Sequence, residues 1–380
     1  MKIAFIGQKG IPATFGGVEY HVDRLSRELA ALGQEVTVYV RNWYTEKTLK
    51  SYRGVKLVHV PTIEGKHTDA SVHSFLCSVH SLFMPFDIIH YHGIGPSFFS
   101  LIPKLSRRKI VCTIHRLDWN TEKWGKVAKT LLKIGEYISV KIPDRTIVVS
   151  DDLRQYVRDK YAQDSIHIPH GIDLSRVKRP ELIKKKYGLK GNDYILFMGR
   201  LAPEKRIDWL IKAFLLVKNK SDRAKNIKLV IAGGPSATSG YEKQLEKMAL
   251  NEMDIIFTGN VGGIEKEELM SNALLFVLPS YLEGFPIVLL EAKTYGLCIL
   301  ASDIPPHQEA INDGIDGMLF KSKDLFDFCK KLQFLIENPQ KTEIMEKNSL
   351  TEVSRRKSWS EIAGEYLLFY RKLIESKRKS

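Results

Sequence analysis

The stretch YILFMGRLAPEKRIDWLIKAF, residues 194–214, decides the fold. Its first five residues are apolar without polar alternation, which is how a strand buried on both faces reads. A turn carrying Arg200, Pro203 and Lys205 follows, and apolar residues then return at helical spacing. Strand, short turn and amphipathic helix make one parallel α/β unit. The alternation recurs along the chain. Strands are predicted at 2–6, 35–40, 55–59, 87–91, 109–114 and 145–149, with helical patterns between them, for example at 18–32 and 124–140. The segment IPHGID (168–173) and the basic run 176–186 end that series, and a second has strands at 194–198, 228–232, 254–258, 274–278 and 298–301. The expectation is two successive doubly wound, Rossmann-like domains, 1–175 and 176–357. Residues 358–380 form a last helix packing back towards the first domain. Two such domains facing one another leave a central cleft, and open parallel sheets bind ligands beyond the carboxyl ends of their strands.

The chain has 380 residues, 44% of them hydrophobic, which excludes a disordered or collagen-like polymer. Cys77, Cys112, Cys298 and Cys329 lie far apart with no C-x-x-C pair, so they read as reduced thiols of an intracellular protein. The opening MKIAFIGQKG is a short strand ending in Gly7, not a signal peptide, and no apolar run is long enough to span a bilayer. The expected location is cytoplasmic. The net charge of +14 favours an anionic partner, and half of the surplus falls in residues 101–150, which hold 11 Lys/Arg against 4 Asp/Glu.

Three motifs carry chemistry. In GQKGIPATFGGVEYHVDRL, Gly7, Gly10, Gly16 and Gly17 crowd a strand-to-helix turn. Glycine there lets backbone N–H groups approach an anion, although a flexible turn reads equally well. The spacing is not G-x-G-x-x-G, which weakens a nicotinamide reading. In GRLAPEK, Arg200 and Lys205 pair a bidentate guanidinium with a point charge, a combination suited to a diphosphate. In PSYLEGFPIVLLEAKTYG, Pro286 stands where a helix would begin, with Glu283 before it and Glu291 within it. The backbone N–H groups of Gly284, Phe285 and Ile287 would crown that helix, and either carboxylate suits the vicinal hydroxyls of a sugar or ribose.

GRLAPEK followed by EGFPIVLLE resembles family 4 of the nucleotide-sugar glycosyltransferases, with the two-domain GT-B fold. GQKGIPATFGGVE, HGIGPS and TIHRLDWNTEKWG resemble a bacterial subgroup labelled rhamnosyltransferases. The resemblance covers essentially the whole chain. It implies a retaining transfer from a nucleotide-diphosphate sugar, dTDP-rhamnose or a UDP- or GDP-hexose, to a saccharide or polyprenyl-diphosphate-linked acceptor in surface-polysaccharide synthesis. Arg200 and Lys205 would stabilise the diphosphate, Glu291 would hold the ribose and Glu283 the transferred sugar, while Gly16 and Gly17 would close over the donor. His115 matches the family histidine near the reacting sugar. Asp118 would serve the acceptor or orient His115. Arg116 and His170 depart from the usual glycine and asparagine, and Arg116 could gain an acceptor contact.

His90 and His92 are alternate strand residues without a carboxylate cluster, and the chain contains no D-x-D, so the expectation is no metal and no cofactor. Lys104, Arg107, Arg108, Lys109, Lys123, Lys126, Lys129 and Lys133 interleave with Trp124, Val127, Leu131 and Leu132. Such a belt over 104–133 can lie on an anionic membrane, although a merely solvated helix face is at least as common, and it is the resemblance that favours the inner face of the cell membrane. The competing readings are a GT-B-fold sugar-nucleotide epimerase and, in a different class, a basic nucleic-acid-binding protein. The absence of a nucleic-acid module argues against the latter.

Overall fold

The structure, a computed structural model, describes residues 1–63, 65, 68–106, 108–121, 124–235 and 240–376. Arg107 and Lys123 of the basic belt and the tail 377–380 lie outside the described residues. The chain forms two compact units, Met1–Gly171 with Lys357–Ser380, and Ile172–Arg356.

The first unit carries β1 (Lys2–Ile6), β2 (Glu35–Arg41), β3 (Ser51–Tyr52), β4 (Val55–Val60), β5 (Ile88–His92), β6 (Lys109–Ile114), β7 (Arg145–Val148) and β8 (Ile166–His167). They form one sheet in the order β3-β4-β2-β1-β5-β6-β7-β8, parallel throughout except for β3 against β4. The period of two along β1 sorts its side chains between two cores. Ile3 and Phe5 face one, with Leu25 and Leu29 of the helix Gly17–Ala31. Ala4 and Ile6 face the other, with Cys77, Tyr91 and Cys112. Burial on both faces is why β1 reads as an apolar run without polar alternation.

The helix Trp359–Glu375 closes the first core, contributing Trp359, Ile362, Ala363, Tyr366 and Tyr370. Its start is fixed by a capping box, in which the Ser358 hydroxyl accepts from the Glu361 N–H and the Glu361 carboxylate accepts from the Ser358 N–H. Gly171 lets the chain pass beneath it, since a Cβ there would stand 2.6 Å from the Trp359 Cα.

The second unit holds β9 (Tyr194–Met198), β10 (Lys228–Ala232), β11 (Ile255–Gly259), β12 (Leu275–Leu278), β13 (Ile299–Ser302) and β14 (Met318–Phe320) in the order β11-β10-β9-β12-β13-β14, all parallel. The sequence reading missed β3, β8 and β14. Each is two or three residues long at a sheet edge, too short for any periodicity to show. All four cysteines are free thiols. Among the described residues, no helix is long and apolar enough to cross a membrane.

Trp359 is 1% exposed, so Trp359→Ala is expected to cost about 3–5 kcal/mol in urea unfolding, and Ser358→Ala, which removes only the cap, about 1 kcal/mol.

Candidate active site

In a doubly wound sheet the strand order reverses at one point, and the loops leaving the two strands there splay apart. In the second unit that point lies between β9 and β12. Arg200 and Lys205 follow β9, and Glu283 follows β12. The Tyr281 N–H donates to the Glu204 carbonyl at 3.0 Å, tying the loops together. Lys205 Nζ donates directly to Glu283 Oε1, with both side chains largely buried. Burial pushes the Glu283 carboxyl up, but Lys205 and His307 outweigh it and hold it below its usual range.

The loop ends as expected. Gly284, Phe285 and Pro286 are buried, and the helix Ile287–Thr294 begins directly after the proline. Glu291 stands in that helix and pairs with Lys266 at 2.5 Å. Gly199 N–H bonds the Ala232 carbonyl, Leu201 N–H the Gly234 carbonyl, and Gly233 N–H the Gly259 carbonyl, so the exits of β9, β10 and β11 form one backbone shelf.

His307 was missed, because nothing in PPHQEA marks it. It is fully buried, and its Nδ1 lies 2.9 Å from the Ser302 carbonyl, which can only accept. The proton is therefore on Nδ1, and Nε2 is left without a hydrogen-bond partner among the described residues. Burial pulls the imidazole down to about 4, against the opposing pull of Glu283.

The first unit has its own reversal, between β1 and β5. Gly7 ends β1 with φ 120°, and a Cβ there would come within 2.4 Å of the His92 carbonyl oxygen. Gly16 caps the helix Gly17–Ala31 with φ 102°, and its missing Cβ makes room for the Glu19 carboxylate. Gly17 is exposed, with open space where a side chain would be.

His115, at the end of β6, is 7% exposed and stands in a group of imidazoles. Its Nε2 lies 3.1 Å from His92 Nδ1, its ring centroid 4.9 Å from that of His21, and its ring is parallel to that of His170. His21 Nδ1 and His170 Nδ1 are 2.9 Å apart, while His90 contacts the Tyr370 hydroxyl at 2.6 Å and the Thr113 hydroxyl at 2.7 Å. His21 carries a signal that went unread, as a polar residue one turn before Leu25 on the buried stripe of its helix. His170, flagged only as a departure, is a full member of the group.

Asp118 does not hydrogen-bond His115. It accepts from Arg116 Nε at 2.7 Å, so the two residues assigned to the acceptor side satisfy one another. The loop is anchored by Trp119, whose Nε1 donates to Glu136. That carboxylate is fully buried and also accepts from Tyr156, Lys160 and Tyr161. The basic belt is partly spent inside the unit, since Lys104 and Lys109 pair with Asp144 and Arg108 donates to the carbonyls of Phe86 and Leu82.

Two predictions follow from these charges. Lys205→Ala leaves Glu283 buried and unpaired, which should lower stability by about 3 kcal/mol in urea unfolding, and adding Glu283→Gln should restore much of it. Burial lowers His21, His90, His92 and His170 well below the usual histidine range. It takes His115 to about 4, with Asp118 and Glu19 pulling upwards. The folded state therefore refuses protons that the unfolded chain accepts. Stability is full above about pH 6.5 and falls as the pH drops towards 4, by up to about 1.4 kcal/mol per pH unit for each imidazole. Scanning calorimetry from pH 7.5 to 4.5 checks this. A midpoint flat across that window would contradict it.

Two families match this chain, Glycosyltransferase Family 4 over residues 15–176 and Glycosyl transferases group 1 over residues 179–351. The D-inositol 3-phosphate glycosyltransferase of Frankia alni is 27% identical over 365 residues, covering 85% of this chain and 86% of its own. The N,N'-diacetylbacillosaminyl-diphospho-undecaprenol alpha-1,3-N-acetylgalactosaminyltransferase of Campylobacter jejuni is 30% identical over 253 residues, 63% of each chain. In fold, the chain is similar to Anabaena HepE, solved with UDP and glucose, with a TM-score of 0.81 at 19% identity over 98% of this chain and all of that one. With two units built on parallel sheets, and both family models matching in turn along it, the chain belongs to the family 4 glycosyltransferases of the GT-B fold and is a nucleotide-sugar-dependent enzyme.

Proposed function

We propose that this enzyme is a retaining hexosyltransferase that takes a sugar from a nucleoside-diphosphate donor and places it on a polyprenyl-diphosphate-linked saccharide in surface-polysaccharide synthesis. The observation that carries the donor half is the pairing of Lys205 with Glu283 at the reversal point of the second sheet. A lysine ammonium has three donors, so Lys205 can keep Glu283 in place with one and give the others to a diphosphate. Arg200, from the same loop, adds a bidentate grip and stabilises the charge that grows on the leaving diphosphate. With these cations on the phosphates, no divalent metal is needed for turnover. Glu283 takes a hydroxyl of the transferred sugar, Glu291 takes the ribose, and the backbone of 284–287 lies against the donor.

No carboxylate in the set is arranged as a covalent nucleophile. Retention then proceeds on one face, the departing diphosphate oxygen accepting the proton of the acceptor hydroxyl as that hydroxyl attacks the anomeric carbon. His115 lines the reacting sugar on the acceptor side, and the loop of Arg116 and Asp118 meets the acceptor.

The acceptor half is supported by the helix Lys126–Lys141. Val127, Leu131, Ile134 and Tyr137 form an exposed apolar stripe at helical spacing, beside the exposed Lys126 and Lys133, with Leu105 89% exposed. That is the pattern of a helix lying on an anionic lipid surface. The relative in Campylobacter jejuni, by its name, acts on an undecaprenyl-diphosphate-linked sugar. The same stripe favours a lipid-borne acceptor over the epimerase reading, which needs none.

Thermal unfolding with UDP, GDP, dTDP and ADP in the presence of chelator tests the donor site. One nucleotide at 100 times its Kd should stabilise the protein by roughly 2.7 kcal/mol, and Arg200→Ala should abolish that shift. No shift with any of the four would overturn the donor assignment. For the membrane, Leu131→Glu with Ile134→Glu should release the protein from anionic vesicles in flotation, with nucleotide binding unchanged. Flotation equal to that of the parent protein would remove the lipid surface from the proposal.

A further inference from the structure

The imidazole group in the first unit has a property that sugar transfer does not use. One ligand nitrogen from each of His21, His92 and His115 lies within 4.8 Å of the others, and all three side chains are buried. A hydrogen bond between His92 Nδ1 and His115 Nε2 at 3.1 Å accounts for one contact. It leaves His92 Nε2 and His21 Nε2 buried without a hydrogen-bond partner among the described residues. Two orphaned ring nitrogens in one small space are costly unless something accepts their lone pairs.

We propose that His21, His92 and His115 form a binding site for a divalent transition-metal cation of the zinc class. Three imidazoles and no carboxylate select zinc, copper, nickel or cobalt over magnesium, calcium or manganese. A tetrahedral zinc with nitrogens at about 2.0–2.1 Å sets them roughly 3.3 Å apart, so ligand nitrogens that now lie within 4.8 Å of one another need contract by at most roughly 1.5 Å. His21 is oriented as metal-bound histidines are, with Nδ1 held by a partner, His170, and Nε2 left to bind. His90 stacks on His92 but stays outside, because both its nitrogens are taken by Tyr370 and Thr113. The ion occupies a nitrogen of His115, so it is a ligand that silences this side chain and not a cofactor for transfer.

The test uses the full chain, stripped with chelator and titrated with Co2+ while its visible d–d absorption is followed, with Zn2+ as competitor. One equivalent should give a tetrahedral spectrum that Zn2+ abolishes. His21→Phe and His92→Phe should each weaken binding at least tenfold, and His59→Gln, away from the group, should leave it unchanged. No spectrum at ~100 μM Co2+, or full binding in both phenylalanine variants, overturns the site. Should those variants fail to fold, X-ray absorption of the Zn2+-loaded parent protein decides. Three imidazole nitrogens at about 2.0 Å support the proposal, and an oxygen-dominated shell overturns it. Neither readout depends on the donor or the acceptor.

Discussion

A parallel strand cannot reach its neighbour through a tight turn, and that constraint orders everything else in this chain. Each strand that runs parallel to the next must be followed by a crossover, so the loops that leave the carboxyl ends of the parallel strands open on the same edge of their sheet. Where the strand order reverses, two such loops diverge and leave room between them. Lys205 and Glu283 are 78 residues apart in sequence and touch only because β9 and β12 are neighbours across that reversal. Gly7 meets the His92 carbonyl for the same reason, across β1 and β5. The topology brings residues together that no local interaction could.

What these meeting places share is charge or polarity held out of water. Lys205 and Glu283 are stable together because each offsets the desolvation of the other. Lys293, fully buried against Asp316 and near Glu352, shows the same physics away from any reversal point. The two pairs differ in what surrounds them. Lys205 has Arg200 in the same loop and the start of a helix beside its partner, and so sits where an additional anion lowers the energy of the set. Lys293 already has two carboxylates, and an added anion there would only repel. Burial alone therefore does not mark function, whereas the balance of charge around the buried group does.

The strand-and-helix alternation was legible because strands such as β9 and β12 are buried on both faces and leave an uninterrupted apolar run. GRLAPEK and EGFPIVLLE were legible because proline, glycine and paired charges leave few structural uses for such a turn. His307 and His21 were not. A lone histidine in a helix gives no sequence signal of its own, and each acquires meaning only from a partner brought by the fold, Glu283 in one case and His92 with His115 in the other. The ion pairs within the basic belt were hidden for a related reason. Composition counts Lys104 and Lys109 as surface charge, and only the folded chain sets Asp144 against them.

The imidazole group and the glycine loop bear on each other. Gly16 is required by its own fold, because its position leaves the Glu19 carboxylate no room for a neighbouring Cβ, whereas Gly17 is not. Glu19 in turn pulls His115 towards protonation while burial pushes the other way. Burial lowers His21, His90, His92 and His170 in the same direction, but among the five only His115 has carboxylates, Asp118 and Glu19, that pull against it. At 7% exposure it is also the most accessible of the five, so the member of the group with carboxylates near it is the one that solvent reaches.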